Sequence, residues 1–228
     1  MNNASMRLQS IRQRIADACA AAGREAGEIT LLAVSKRQDA EKISALNRLG
    51  LTAFGENQLQ EALRKQRQLE SLALEWHFIG TIQSNKTRAI AEHFQWVQSV
   101  DRQRVLERLA NQRPAALGPL NILLQVNIDR EPQKAGADPR AVPQLAAMAA
   151  GLANVRLRGL MAIPRLTCDR DQQRESFHRV RLIYEELLGA GYEIDTLSMG
   201  MSADLEAAVE AGSTMVRIGT DLFGPREP

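Results

Sequence analysis

The sequence predicts a (β/α)8 barrel (TIM barrel) of the α/β class with one extra helix at its N-terminus. Eight short apolar runs alternate with segments of helical periodicity, the pattern of parallel β/α units. A count of eight favours a closed barrel over an open doubly wound sheet. The 228 residues suit a barrel as one unit and no Gly/Ser- or Pro-rich linker breaks the series, so residues 1–228 read as a single domain.

The opening helix spans 5–22, where Leu8, Ile11, Ile15, Ala18 and Ala22 recur at steps of three and four before the glycines of "AAGREAG". "TLLAVS" (30–35) is the first strand, followed by a helix at 39–49. "TAFGE" (52–56) and a helix at 58–72 form the second unit, "WHFIG" (76–80) and a helix at 84–94 the third. "WVQSV" (96–100) leads into a helix at 101–112, and "RPAALGP" (113–119) is an ordinary loop. "NILLQVN" (121–127) with a helix at 139–151, and "RLRGLMAI" (156–163) with a helix at 171–189, continue the series. "TLSMG" (196–200), a helix at 203–211 and "MVRIGT" (215–220) complete it. The rival flavodoxin-like or Rossmann sheet is disfavoured, because no GxGxxG follows the first strand and no GxxxxGK[ST] occurs.

Hydrophobic residues make up 44% and charged residues 25%, an ordinary globular balance. With 29 Lys and Arg against 27 Asp and Glu, a net charge of +2 gives no electrostatic case for nucleic acid or an anionic membrane. The basic run "RKQRQ" (64–68), interleaved with Glu61 and Glu70, reads as a solvated helix face. Cys19 and Cys168 match neither CxxC nor any zinc spacing, so neither a disulfide framework nor a metal site is expected. The charged N-terminus lacks a signal-peptide core and no segment is apolar enough to span a bilayer, which makes the cytoplasm the expected location. A monomer is expected, since the outer helices show no extra apolar stripe.

Barrel active sites lie at the C-terminal ends of the strands. Strand one delivers Lys36, strand two Glu56 and Asn57, strand three His77 and Gly80, and strand six Met161. Strand seven delivers Met199, Gly200 and Ser202, and strand eight Arg217, Gly219 and Thr220. The loops after strands seven and eight commonly form a phosphate site in this fold. In "SMGMSADLEAA", Ser202 stands at a helix N-cap position and Gly200 lets the backbone approach a ligand; a plain cap with no ligand is the alternative. Arg217 interrupts the apolar run "MVRIG", where a guanidinium needs either an ion-pair partner or a ligand's ring nitrogen. Lys36, taken alone, reads as a lysine snorkelling into water. A lysine, a phosphate cradle and a buried cation around one cavity together suggest pyridoxal 5′-phosphate, with Lys36 as a Schiff-base amine of lowered pKa. Arginine keeps its proton, so the ring nitrogen would stay unprotonated and the ring a poor electron sink.

The motifs "AVSK", "FGEN", "EWHFIGTIQSNK", "LQVNI…KAG", "RGLMAI", "LSMGMSADLEAA" and "VRIGT" resemble those of the pyridoxal phosphate homeostasis proteins (the YggS/PROSC family) over nearly the whole chain. The resemblance implies a barrel similar to the alanine racemase N-terminal domain (fold type III) that carries pyridoxal phosphate without established catalytic turnover. It assigns Lys36 to the cofactor, Ser202, Gly219 and Thr220 to the phosphate, Arg217 to the ring nitrogen, and Asn57, Met161 and Met199 to the pocket wall. It implies a role in vitamin B6 and amino-acid homeostasis, with pyridoxal-phosphate-dependent apo-enzymes as recipients. Lys134 falls where the family also has lysine, which suggests a secondary cofactor contact. Thr81, Ile82 and Asp221 depart from the family pattern, and Asp221 would weaken anion binding if it pointed inward.

Two enzyme readings compete. A racemase of this class needs a second base, a tyrosine from an added domain of a partner subunit, and here the chain ends eight residues after Thr220. Tyr184 and Tyr192 fall on or just after the helix at 171–189, away from the barrel mouth. A phosphate-sugar aldolase would use Lys36 the same way, with Glu56 as its acid. Of the three histidines, His77 is the one placed to support a site residue, while His93 and His178 read as structural.

Overall fold

The computed structural model describes residues 3–224. Eight parallel strands close a barrel in sequence order. They are β1 (Thr30–Val34), β2 (Ala53–Glu56), β3 (Glu75–Phe78), β4 (Trp96–Val100), β5 (Leu120–Val126), β6 (Val155–Ala162), β7 (Thr196–Ser198) and β8 (Met215–Ile218). The ring shuts where Leu32 of β1 pairs with Arg217 of β8, which puts the first and last strands, and the loops that follow them, side by side.

The helices are α1 (Asn3–Ala21), α2 (Ala40–Asn47), α3 (Leu59–Gln68), α4 (Thr87–His93), α5 (Gln103–Gln112), α6 (Val142–Ala150), α7 (Arg170–Gly189), α8 (Leu205–Glu210) and α9 (Thr220–Phe223). Each lays an apolar stripe on the barrel; in α5 the buried positions are Val105, Leu106, Leu109 and Ala110, the spacing of one helix face. α7 starts where the Asp169 side chain accepts from the backbone N–H groups of Asp171 and Gln172. None of the described helices is long and apolar enough to cross a membrane.

Three expectations change. The last strand stops at Ile218 rather than running to residue 220, because Gly219 turns the chain into α9, a helical turn that periodicity over four residues cannot signal. Helix α8 starts at Leu205 with Asp204 before it, so Ser202 is not its N-cap; the Asp204 carboxylate instead accepts the Met201 N–H at 2.6 Å. The "RKQRQ" run is not wholly solvated, since Lys65 is 2% exposed and lies between the carboxylates of Glu56 and Glu61.

Helix α1 packs over the end of the chain. Its Leu8, Ile11, Ile15, Ala18 and Cys19 are buried, Arg7 donates to the Phe223 carbonyl, and Arg14 pairs with Glu206 of α8 and Asp221 of α9. The extra N-terminal helix therefore braces the loops of β7 and β8.

Strand β6 carries a bulge: Ile122 pairs with Leu157 while Leu123 pairs with Gly159, leaving Arg158 as the extra residue. Gly159 has φ +143°, and a Cβ there would lie 1.9 Å from the Thr196 carbonyl oxygen. Gly159→Ala must push β6 from β7, at a cost of about 3 kcal/mol and roughly 6–12 °C in Tm for a chain of this size. Thermal unfolding followed by circular dichroism checks this; an unchanged Tm would mean the bulge relaxes freely.

Candidate functional site

At the C-terminal mouth of the barrel lies a cavity of about 540 Å³. That is within the range of about 300–1,000 Å³ usual for small-molecule sites. Lys36, Asn57, Met161, Ser202, Arg217, Gly219 and Thr220 all line it. These residues come from the ends of β1, β2, β6, β7 and β8, which only barrel closure brings together.

Met199 does not line the cavity. On β7 Ser198 points into the barrel, where it bonds Gln98 and Arg217; the next side chain, Met199, is fully buried in the main apolar core. Gly200 serves packing rather than ligand approach. Its φ is +95°, and a Cβ there would stand 2.5 Å from the Ala208 side chain, so the glycine lets α8 close onto the strand. Glu56 is also withdrawn from the mouth, fully buried and bonded to Lys65 and Ser35. Asp221 turns to Arg14 and is absent from the cavity lining, so its charge does not oppose an anion there.

Arg217 is the electrostatic centre of the site. Its Nη1 donates to the Ser198 carbonyl at 2.7 Å and the Ser198 hydroxyl at 2.8 Å, and its Nη2 donates to the Ala162 carbonyl at 2.8 Å. No carboxylate among the described residues forms an ion pair with it, so the ion-pair alternative does not hold. Burial pushes its pKa down to about 10, against the pull of the Asp204 charge, and the group stays cationic at neutral pH. Three of its five donors are taken within the protein. The rest are available to an acceptor in the cavity that Arg217 lines.

Beneath Arg217 a polar chain runs down the barrel interior, a space this fold usually fills with Val, Ile and Leu. The Ser198 hydroxyl donates to Gln98 Oε1 at 2.8 Å, and Gln98 Nε2 lies 2.9 Å from His77 Nδ1. His77 Nε2 is 2.9 Å from Glu75 Oε1, at a side chain 45% exposed on the opposite rim. With the amide nitrogen facing Nδ1, the imidazole proton sits on Nε2 and is donated to Glu75. His77 thus lies deep in the barrel, stacked on Trp96 at 5.2 Å, rather than at the mouth.

Gln38, Thr81, Gln125 and Lys134 also line the cavity. Gln125 had a sequence signal, an amide directly after the apolar residues Ile122, Leu123 and Leu124 of β5; it is 7% exposed and donates to the Ala135 carbonyl at 2.9 Å. The Lys134 ammonium is held by the Pro164 carbonyl at 2.8 Å and by the Glu131 carboxylate. Gln38 and Thr81 sit in loops where polar residues are unremarkable, and no local signal separates them.

The sequence and the fold both match known proteins. The profile of the alanine racemase N-terminal domain matches residues 6–227. The pyridoxal phosphate homeostasis protein of Pseudomonas aeruginosa is 53% identical over 227 residues, covering 100% of this chain and 97% of that one. The protein of the same name from Escherichia coli K12 is 47% identical over 230 residues, at 100% and 98% coverage. The chain belongs to the pyridoxal phosphate homeostasis protein family. Among solved structures, PipY of Synechococcus elongatus PCC7942 with pyridoxal phosphate bound superposes with a TM-score of 0.80 at 37% identity, over 94% of this chain and 100% of that one.

The buried polar chain has a pH signature. Burial pushes the His77 pKa below its ordinary 6.5, against the pull of Glu75, so on acidification the unfolded chain takes up this proton before the folded one. Stability is therefore expected to fall as pH drops below 6.5, and His77→Gln, which cannot titrate, is expected to flatten that slope. Urea unfolding across this range checks it; identical slopes in the two proteins would show that His77 takes up its proton equally in the folded and unfolded states.

Proposed function

We propose that this protein binds pyridoxal 5′-phosphate, holds it as a Schiff base on Lys36 and keeps it in reserve for apo-enzymes without turning over a substrate. The observation that carries the reading is the single cavity shared by a lysine, a carboxylate-free buried guanidinium and the two loops at Ser202 and Gly219–Thr220. When bound, the cofactor supplies a reactive aldehyde that condenses with a primary amine. The family match and the solved PipY complex support the same ligand.

The residues divide the task by chemistry. Lys36 is half-buried at the cavity wall and supplies the amine. Ser202 and Thr220 offer hydroxyls, and with Gly219 the backbone, to the phosphate. Arg14 donates to the Ser202 carbonyl at 2.7 Å and fixes that loop from outside. Arg217 would donate to the pyridine nitrogen and, retaining its own proton, would leave that nitrogen unprotonated, which suits storage better than carbanion chemistry. Asn57 and Met161 bound the ring, and Lys134 stands by as a second contact.

The placement of the tyrosines supports storage over racemisation. The Tyr184 hydroxyl donates to the Ile194 carbonyl at 3.2 Å, and neither Tyr184 nor Tyr192 lines the cavity. Neither tyrosine of this chain is thus placed to serve as a racemase's base. We read the chain as one domain acting as a monomer in the cytoplasm.

Purified protein with added pyridoxal phosphate is expected to show a visible absorbance band that borohydride bleaches, with the label on Lys36 by peptide mass. Lys36→Ala is expected to lose the band and the label while staying folded. An alanine racemisation assay is expected to read no conversion above the cofactor alone. A colourless wild type sinks the cofactor reading, and efficient racemisation sinks the storage reading.

A further inference from the structure

We propose that Lys65, on α3 and outside the cavity, is the positioning residue for Lys36. The inference rests on Lys36 being the residue that takes up the aldehyde. The Lys65 ammonium donates to the Ser35 carbonyl at 2.7 Å, to Glu56 Oε1 at 2.7 Å and to Glu61 Oε1 at 2.6 Å. Those contacts use all three donors of an ammonium. The same Glu61 oxygen accepts the Arg37 N–H at 2.5 Å, and the Ser35 hydroxyl donates to Glu56 Oε1 at 2.6 Å. The peptide groups on either side of Lys36 are thus gripped by one ion cluster.

The turn needs that grip. Arg37 has φ +58°, the left-handed region that a non-glycine residue adopts at a cost, and bonds to its neighbours must hold it there. Stability alone does not explain the cluster, because a buried ion pair is often replaced by apolar side chains of similar volume with no loss. Geometry explains it better. A lysine side chain has many rotamers, and bond formation requires its nitrogen close to the carbonyl carbon, so the backbone origin of that side chain must be fixed.

The test separates holding the ligand from reacting with it. Pyridoxine 5′-phosphate, which lacks the aldehyde, measures the first; the rate at which borohydride traps pyridoxal phosphate on Lys36 measures the second. Lys65→Met leaves Glu56 buried without its cation, so Glu56→Gln/Lys65→Met is made beside it to remove that charge while still lacking the tether. Glu61→Ala removes the Arg37 anchor and leaves the Lys65–Glu56 pair intact. In folded variants, trapping is expected to slow about tenfold to a hundredfold while affinity for pyridoxine 5′-phosphate stays within about twofold. Trapping at the wild-type rate in the folded double variant and in Glu61→Ala would overturn the proposal. So would an equal loss of analogue binding and trapping, which would make the cluster general scaffold. A wild type that binds the analogue and traps nothing overturns the covalent role of Lys36 and this inference with it.

Discussion

A guanidinium taken out of water in the centre of a barrel is the constraint on which the rest of this structure depends. Burying Arg217 carries a large desolvation cost, and a carboxylate partner would offset it at the expense of neutralising the charge a ligand could use. The protein meets the cost with two carbonyls and one hydroxyl from β6 and β7. Each partner then needs satisfying in turn. Ser198 requires Gln98, Gln98 requires His77, and His77 is anchored by Glu75 at the far rim. The interior is polar along this line because its top is charged.

Around that core the mouth is held from outside. Helix α1 reaches the β7 loop through Arg14 at the Ser202 carbonyl and at Glu206, and reaches α9 at Asp221. On the opposite flank, Lys65 and Glu61 of α3 hold the turn that carries Lys36. Part of the cavity wall is loop, yet the groups that locate those loops sit on helices, which gives them the precision of regular structure.

What could be read from the sequence was what violated its local pattern. Lys36 at the end of an apolar strand and Arg217 inside one broke the rule for a buried parallel strand, and together with Ser202, Gly219 and Thr220 they line one cavity. The barrel itself was legible because eight apolar runs alternate with helical periodicity without interruption. Met199 was misplaced because this fold usually fills its interior with apolar side chains, so nothing local marks the apolar phase of "TLSMG", Leu197 and Met199, as the one that faces outward; the bonds of Ser198 show that the other phase points inward. Lys65 looked solvated because its neighbours on α3 are polar, and its partners Ser35 and Glu56 lie at the ends of different strands. Partners far apart in sequence but adjacent across a closed barrel leave no local trace.

In the proposed complex Arg217 keeps its proton and donates a hydrogen bond to an unprotonated pyridine nitrogen. Nitrogen NMR of the wild-type protein loaded with ring-labelled pyridoxal phosphate at neutral pH tests it most directly. The resonance expected is that of a neutral, hydrogen-bond-accepting pyridine. A pyridinium resonance would contradict it, because the ring would then be a strong electron sink and the buried cation would have some other use.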